Sequence, residues 1–212
     1  MKKSSLQFAF ATLLGASLAI TSATAFALEA PAANPKPVPA PSGKATLSPE
    51  NTSVQFVCAH RGAKPDPRTG TFGKFTGTAE VDAKAKELKS LSLEFDTNSV
   101  NTEFAKLTGH LKSPDFFDTR EHPKASFVSK KVTAGTKAGE YTVTGDLTLH
   151  GVTKSIKAPV TVAFSDAGFT LTSNFAIDRS EFGMNYGAEK VENTVAMKVV
   201  IGEKNKVLAD AK

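Results

Sequence analysis

Most of the chain beyond residue 44 alternates apolar and polar side chains with a period of two. Apolar residues take one parity, while Thr, Lys or Asp commonly fills the other. The clearest runs are Leu91 to Phe95, Tyr141 to Leu149, Ile156 to Phe164, Phe169 to Ile177 and Val195 to Ile201. A period of two with one apolar face is typical of half-buried antiparallel strands. The pattern predicts an all-β protein of about eight antiparallel strands.

Strands of this kind can close in two ways, as a sandwich of two sheets or as a barrel formed by one curled sheet. An eight-stranded barrel has an interior just wide enough to be filled by side chains or to hold one small ligand. Twelve Phe and no Trp follow residue 27, and most of these Phe lie on the inward parity. Composition alone favours rings that fill a core over rings that line a lumen.

One short helix is predicted over Thr102 to Lys112. Phe104, Leu107 and Leu111 share a face there at i, i+3, i+7 spacing. Asn101 or Thr102 is the expected N-terminal cap.

The first 27 residues have the features of a secretory signal peptide. Lys2 and Lys3 form its positive end, an apolar run spans Phe8 to Ile20, and Ala25-Phe26-Ala27 is a small-x-small cleavage site. Residues 28–44 contain five prolines among small residues, which predicts an extended linker with a solvated backbone. We expect one domain over residues 45–204 and a C-terminal tail over residues 205–212.

Charge and cysteine content exclude some functions. Cleavage of the signal removes Lys2 and Lys3 and lowers the net charge from +5 to +3, too little to indicate a nucleic-acid partner. Cys58 is the only cysteine, so no internal disulfide can form. It follows Val54 and Phe56 at period two, which favours a buried small hydrophobic residue over a reactive nucleophile.

Five motifs occur in order along the chain: SVNT from Ser99, HLKSPDFFD from His110, HPKASF from His122, GDLTLHGVTK from Gly145 and DRSEFGMNYG from Asp178. Together they resemble the YceI-like family, and the resemblance covers about residues 45–201. It implies a lipocalin-like antiparallel barrel with one short α-helix and a lid loop. It also implies a periplasmic protein that holds an isoprenoid quinone or a polyprenyl phosphate in its lumen.

The residues expected to bind this lipid fall into three groups. Those expected to line the lumen are Phe56, Phe72, Phe75, Leu93, Phe95, Phe127, Leu147, Leu149, Phe175 and Ile177. Those expected to cover its mouth are Leu107, Leu111, Phe116, Phe117 and Phe182. The polar candidates are His110 and Arg179. Arg179 is either an ordinary surface residue or a residue of the mouth whose planar guanidinium binds a phosphate or a quinone oxygen.

His110, Asp115, Asp118 and His122 also have the chemistry of zinc or iron ligands. Their spacing matches no helix-based ligand pair. A histidine that caps the helix and aspartates that accept hydrogen bonds from loop amides explain the same residues. We therefore expect no metal and no other cofactor.

Catalysis is not expected, because no G-x-S-x-G nucleophile motif and no glycine-rich phosphate loop occurs. The predicted partners are the isoprenoid lipid and, transiently, a membrane surface; the oligomeric state stays open, a homodimer included. The main alternative is a non-catalytic interaction module of the cell envelope with a filled core. A metal-dependent enzyme is the least favoured alternative.

Overall fold

A single antiparallel sheet of eleven strands forms the protein in this computed structural model, which describes residues 34–62, 66–206 and 208. The strands are β1 (Lys44–Leu47), β2 (Thr52–His60), β3 (Asp66–Phe72), β4 (Phe75–Asp82), β5 (Glu87–Asp96), β6 (Val100–Thr102), β7 (Lys124–Ala134), β8 (Glu140–Leu149), β9 (Val152–Ser165), β10 (Gly168–Asp178) and β11 (Thr194–Ile201). One α-helix, α1, spans Ala105–Leu111. Short 3-10 turns lie at Pro41–Gly43, Thr97–Ser99 and Arg179–Phe182.

The strands follow the order β1-β4-β5-β7-β8-β9-β10-β11-β2-β3-β6, and every neighbouring pair is antiparallel. The sheet curls around its apolar face into a half-barrel, which confirms the predicted fold. It has eleven strands rather than about eight. The additional strands include β1 and β6, which have four and three residues and are too short to show a period of two.

The helix is shorter than predicted and begins later. Thr102 ends β6, and Phe104 occupies the N-cap position without a side-chain cap bond, so the caps predicted at Asn101 and Thr102 are wrong. The Thr102 hydroxyl instead accepts a hydrogen bond from the Phe104 backbone N–H at 3.2 Å. It also lies 3.0 Å from the hydroxyl of Thr108, which links the helix to the edge strand.

The described part of the predicted linker contacts the sheet. Val38 is 6% exposed, and it exchanges two backbone hydrogen bonds with Phe169, at 2.8 and 3.1 Å. The Lys36 N–H donates to Gly202 O at 2.7 Å. The prediction of a solvated linker is therefore wrong for this stretch, because the residues between its prolines keep the N–H groups that pair with the sheet. The predicted signal peptide lies outside the described residues.

The packed region also extends past Lys204, the predicted end of the domain, into the predicted tail. Asn205 is 5% exposed, and its side-chain amide donates to Phe72 O at 2.9 Å. Its Oδ1 accepts from the Val54 N–H at 3.1 Å, and the Thr71 hydroxyl lies 2.9 Å from the same oxygen. Asn205 thus connects the C-terminal segment to β2 and β3.

Two glycines on the inner face make room for phenylalanine rings. A Cβ on Gly70 would lie 2.1 Å from Cζ of Phe56, and one on Gly145 would lie 2.6 Å from Cζ of Phe127. A side chain at either position would displace a ring from the interior. Among the described residues, no helix has the length and apolar character needed to cross a membrane.

Candidate ligand-binding site

Three adjoining cavities lead from the surface into the half-barrel. The outermost, here called the vestibule, has a volume of about 390 Å³, the middle cavity about 80 Å³ and the inner cavity about 70 Å³. The vestibule and the middle cavity share the wall residues Phe56, Cys58, Leu111 and Phe116. The middle and inner cavities share Phe72, Leu149 and Met197. The three spaces therefore form one path interrupted by side chains.

The inner cavity has an almost entirely apolar wall, because it is enclosed by the inward parity of the strands. Its one polar lining residue is Ser173, whose hydroxyl donates to Pro159 O at 2.7 Å and so is satisfied by the protein. Such a wall offers no directed contact to a polar ligand. It suits a hydrocarbon.

Phenylalanine rings fill most of the space between the cavities. The Phe72 ring lies 5.8, 5.2 and 5.5 Å, centroid to centroid, from the rings of Phe56, Phe95 and Phe117. An apolar cavity of about 150 Å³ holds one benzene molecule, so the middle and inner cavities are each about half that size. A linear ligand of several isoprene units fits only if side chains such as Phe72 change rotamer.

Arg179 lies in the wall of the middle cavity and is 3% exposed. The structure thus places it in the interior and not on the surface, which decides between the two locations left open by the sequence. Its Nε donates to Glu192 O at 3.1 Å and its Nη1 to Met184 O at 2.6 Å. Its Nη2 is buried and has no hydrogen-bond partner among the described residues. A buried positive group with a free donor favours an anionic or strongly accepting ligand.

The backbone around Arg179 fixes this position. The Asp178 side chain accepts a hydrogen bond from the Ser180 N–H at 2.8 Å and caps the 3-10 turn. The Arg179 N–H donates to Asn193 O at 2.9 Å. Both bonds hold the residue at the end of β10 with its side chain directed inward.

The vestibule contains most of the polar groups along the path. Its lining includes Arg68, Lys190 and His60. The Arg68 guanidinium contacts the carboxylate of Asp66 and lies 4.7 Å from the ring centroid of Phe104. Glu189 also lines it, so the vestibule combines charged groups of both signs with aromatic surface at the outer end of an apolar path.

The lid segment, residues 103–123, covers one side of the vestibule. His110 lines the vestibule, and its Nε2 lies 2.9 Å from Oδ2 of Asp115. Its ring meets those of Phe116 and Tyr186 edge-on, with centroid distances of 5.0 and 4.8 Å. These contacts join the lid segment to the loop between β10 and β11.

The structure brings most of the predicted site residues to this path. Those that line one or more of the three cavities are Phe56, Phe72, Leu93, Phe95, Leu107, His110, Leu111, Phe116, Phe117, Phe127, Leu147, Leu149, Phe175, Ile177 and Arg179. Their role in binding stays a prediction.

Two predicted residues do not line these cavities. Phe75 is buried, but its ring packs behind that of Phe95 at 5.4 Å. Phe182 is 1% exposed and belongs to the core beneath the 3-10 turn, so it does not cover the mouth as expected. These residues were predicted from strand parity and motif position. Neither signal distinguishes a residue that lines a cavity from one that packs behind the lining.

Several lining residues were not predicted. Tyr186, Arg68 and Lys190 line the vestibule. Arg68 and Lys190 had no signal in the sequence, because each is one basic residue among many. Cys58 also lies on the path. It is half-buried, its Sγ lies 3.2 Å from Glu192 O, and burial raises the pKa of its thiol above the usual value. This environment agrees with an unreactive residue.

The four residues considered as metal ligands lie in two separate groups. His110 pairs with Asp115, whereas Asp118 and His122 lie beside His150 from the β8–β9 turn. The side-chain ligand atoms of Asp118, His122 and His150 all lie within 4.8 Å of one another.

Comparison with known proteins gives consistent results. The YceI-like domain profile matches residues 46–203. A UPF0312 protein of Pseudomonas savastanoi pv. phaseolicola is 46% identical over 89 residues, which are 41% of this chain and 45% of that protein. The chain therefore matches less than half the length of this relative.

Two solved structures have the same fold. Burkholderia cenocepacia BcnA superposes with a TM-score of 0.64 at 27% identity, covering 71% of this chain and 94% of BcnA. A polyisoprenoid binding domain from Saccharophagus degradans superposes with a TM-score of 0.55 at 18% identity, covering 74% of this chain and 95% of that domain. The second likeness concerns the fold alone.

Proposed function

The chain belongs to the YceI-like family, and we propose that it is a periplasmic carrier that holds an isoprenoid lipid along the path from the vestibule to the inner cavity. The periplasmic location rests on the signal-like residues 1–27. The choice of ligand class rests on the resemblance of the five motifs to the YceI-like family, and a structural neighbour described as a polyisoprenoid binding domain shares the fold. The proposal assigns the protein no catalytic step.

The observation that carries the proposal is that the three cavities adjoin one another in series through shared wall residues. A prenyl chain is linear and apolar, and each Å² of its surface removed from water contributes about 25 cal/mol to binding. The middle and inner cavities are separated by the side chains of Phe72, Leu149 and Met197, which can rotate. Their rotation would join the small spaces into a tube without any change in the strands.

Arg179 favours an anionic head group, and thus a polyprenyl phosphate over a quinone. Its Nη2 is buried in the wall of the middle cavity, and no carboxylate pairs with it in the described part of the chain. A phosphate oxygen would satisfy both the donor and the charge, whereas a quinone oxygen would satisfy only the donor. The vestibule adds little to this preference, because Arg68 already pairs with Asp66 and Glu189 lines the vestibule beside Lys190.

The direct test is to identify the lipid that the protein acquires in a cell. The full chain is expressed in a bacterium that makes isoprenoid lipids, purified from the periplasm without detergent and extracted with organic solvent. Mass spectrometry should find an isoprenoid at close to one molecule per protein. Protein that carries no lipid, or only phospholipid and fatty acid in proportion to the membrane, would contradict the proposal.

A second candidate function, a non-catalytic interaction module with a filled core, is favoured by the small volumes of the two inner cavities, about 80 and 70 Å³. Titration with an apolar fluorescent probe separates the two functions. A carrier should give a saturable signal that an isoprenoid quinone or phosphate displaces. A filled core should give none.

A further inference from the structure

Three potential metal ligands meet where the lid segment touches the rim of the half-barrel. Asp118 and His122 belong to the lid segment, and His150 belongs to the turn between β8 and β9. All three are half-buried, and their ligand atoms lie within 4.8 Å of one another. Two imidazoles and one carboxylate are a donor set that binds zinc and other divalent transition metals.

A hydrogen bond orients the ring of His150. Its Nδ1 lies 3.1 Å from the backbone oxygen of Phe182. A carbonyl oxygen only accepts, so Nδ1 carries the hydrogen and Nε2 keeps the lone pair that a metal requires. Histidine ligands of metals usually donate their second ring nitrogen to a carbonyl or a carboxylate in this way.

His122 is held in place by close packing. Its ring centroid lies 4.9 Å from that of His150, with the two planes at 83°. The ring also lies against Gly151, where a Cβ would approach Cε1 of His122 to 2.6 Å. Gly151 therefore provides the space that lets the two imidazoles approach each other.

The backbone at two of the three residues adopts an uncommon conformation. Asp118 has a φ of 42° and His150 a φ of 49°, in the left-handed region that L-residues rarely occupy. The Asp118 O accepts a hydrogen bond from the His122 N–H at 2.8 Å, so the two lid residues are fixed relative to each other. Strained residues of this kind cluster at functional sites.

We propose that Asp118, His122 and His150 form a site for a divalent transition metal, which fastens the lid segment to the β8–β9 turn. Three protein ligands leave one position of a tetrahedral zinc ion for water. In such a complex the ligand atoms lie about 3.3 Å apart, so binding draws the three side chains slightly inward. This inference does not depend on the identity of the lipid.

The metal would act on the mouth of the lipid path. Phe116 and Phe117 directly precede Asp118, and both line the middle cavity. A bond between Asp118 and the barrel rim would hold these rings over the path. The site would thereby couple metal availability to the opening of the lid.

The test begins with zinc binding to the purified full-length mature protein after treatment with EDTA. Calorimetry should show one saturable zinc site. His150→Ala should weaken binding by more than about 100-fold, because the loss of an outer-shell partner alone costs up to that much. His60→Ala is the matched control, since His60 is an exposed histidine paired with Asp66 at 4.0 Å. This variant should bind zinc with the affinity of the wild type. Equal zinc affinity in wild type and His150→Ala would overturn the site.

A second variant keeps the test valid if His150→Ala folds poorly, and hydrogen exchange tests whether the metal fastens the lid segment. Asp118→Asn keeps the size of the side chain and tolerates a positive φ, and it should still weaken zinc binding and alter the visible absorption of the cobalt-substituted protein. Zinc should slow amide hydrogen exchange in residues 112–123 of the wild type by at least tenfold. It should not slow exchange in His150→Ala or Asp118→Asn. An unchanged cobalt spectrum would refute the site, and unchanged exchange would refute the fastening of the lid.

Discussion

The guanidinium of Arg179 lies against the ring of Phe116, with Cζ 5.8 Å from the ring centroid. This distance is within the range of a cation–π contact. Arg179 belongs to the end of β10 and Phe116 to the lid segment, so the contact joins the barrel wall to its cover. A ligand group that binds Nη2 of Arg179 would do so directly beneath the lid.

Replacement of this arginine should change the preference for the head group. We expect Arg179→Leu to weaken binding of a polyprenyl phosphate by about 10- to 100-fold, because a hydrogen bond to a charged group contributes about 1.5–3 kcal/mol. Binding of a quinone with the same tail should change much less. Displacement of a fluorescent probe measures both affinities. Arg120→Leu, which removes an exposed arginine of the lid segment, should affect neither, and an equal loss for both lipids would argue against an anionic head group.

A bulky residue in the inner cavity should block the lipid tail. Ala158 is 6% exposed and lines this cavity, so Ala158→Phe should abolish lipid copurification. Overpacking should also lower the free energy of unfolding by about 1–3 kcal/mol. Ala163→Phe is the matched control, because Ala163 lies on the outer face of the same strand. Mass spectrometry of extracted lipid compares the two, and full lipid occupancy in Ala158→Phe would place the tail elsewhere.

Gly70 should not tolerate a side chain. A Cβ at this position would overlap the ring of Phe56, so we expect Gly70→Ala to lower the free energy of unfolding by about 1–3 kcal/mol. Gly109→Ala provides the contrast, because no atom lies within 4 Å of the added Cβ and the residue is in α1. It should stabilise the protein by up to about 1 kcal/mol. Urea denaturation measures both, and a neutral Gly70→Ala would mean that the Phe56 ring moves freely.

Asn205 should matter more for stability than its position near the C-terminus suggests. Asn205→Ala removes the partners of the Val54 N–H and the Phe72 carbonyl, both in the interior. We expect the free energy of unfolding to fall by about 1–3 kcal/mol or more, because each buried polar group left unsatisfied costs about that much. Lys206→Ala, at the exposed neighbouring position, should change the free energy of unfolding by less than about 0.5 kcal/mol. Chemical denaturation compares the two variants.

The thiol of Cys58 should react slowly while the protein is folded. Burial raises the pKa of Cys58, so the fraction of reactive thiolate is smaller in the folded than in the unfolded protein. Iodoacetamide should therefore modify the native protein at pH 8 far more slowly than the denatured protein. Equal rates would show that the thiol is accessible and ionised like a free cysteine.

The same pKa shift predicts a dependence of stability on pH. The folded thiol keeps its proton at a pH where the unfolded thiol loses it, so stability is retained below the usual thiol pKa of 9.0 and falls as the pH rises above it. Cys58→Ala should have a smaller decrease between pH 8 and pH 10 than wild type. Denaturant unfolding at several pH values measures this difference.

The sequence predicted the long strands well, because β8, β10 and most of β9 bury one face and so keep a period of two. In β11 the period holds less well, since Lys198 to Ile201 are all buried. It did not predict β3 as a separate strand. That strand contains Pro67 and Gly70, and it pairs between β2 and the three-residue β6, so its stability comes from its neighbours and not from its own pattern.

The site was predicted in part for a similar reason. Inward parity identified wall residues such as Phe72 and Leu147, because a curled sheet puts all residues of one parity inside. It could not show that His150 lies beside His122, since these residues belong to different loops and meet only after the sheet has curled. Nor could it decide the burial of Arg179, because alternation assigns a polar residue to the outside by default.

The pairings of Val38 with Phe169 and of Lys36 with Gly202 hold residues 36–38 at one end of the half-barrel. Phe169 follows the β9–β10 turn, whereas His150 and the lid segment lie at the other end of β9. A fluorophore or a surface attached at the exposed Pro37 would therefore lie at the end of the half-barrel remote from the vestibule. Immobilised through residue 37, the protein would present its opening to the surrounding solution, an orientation well suited to measuring uptake from vesicles.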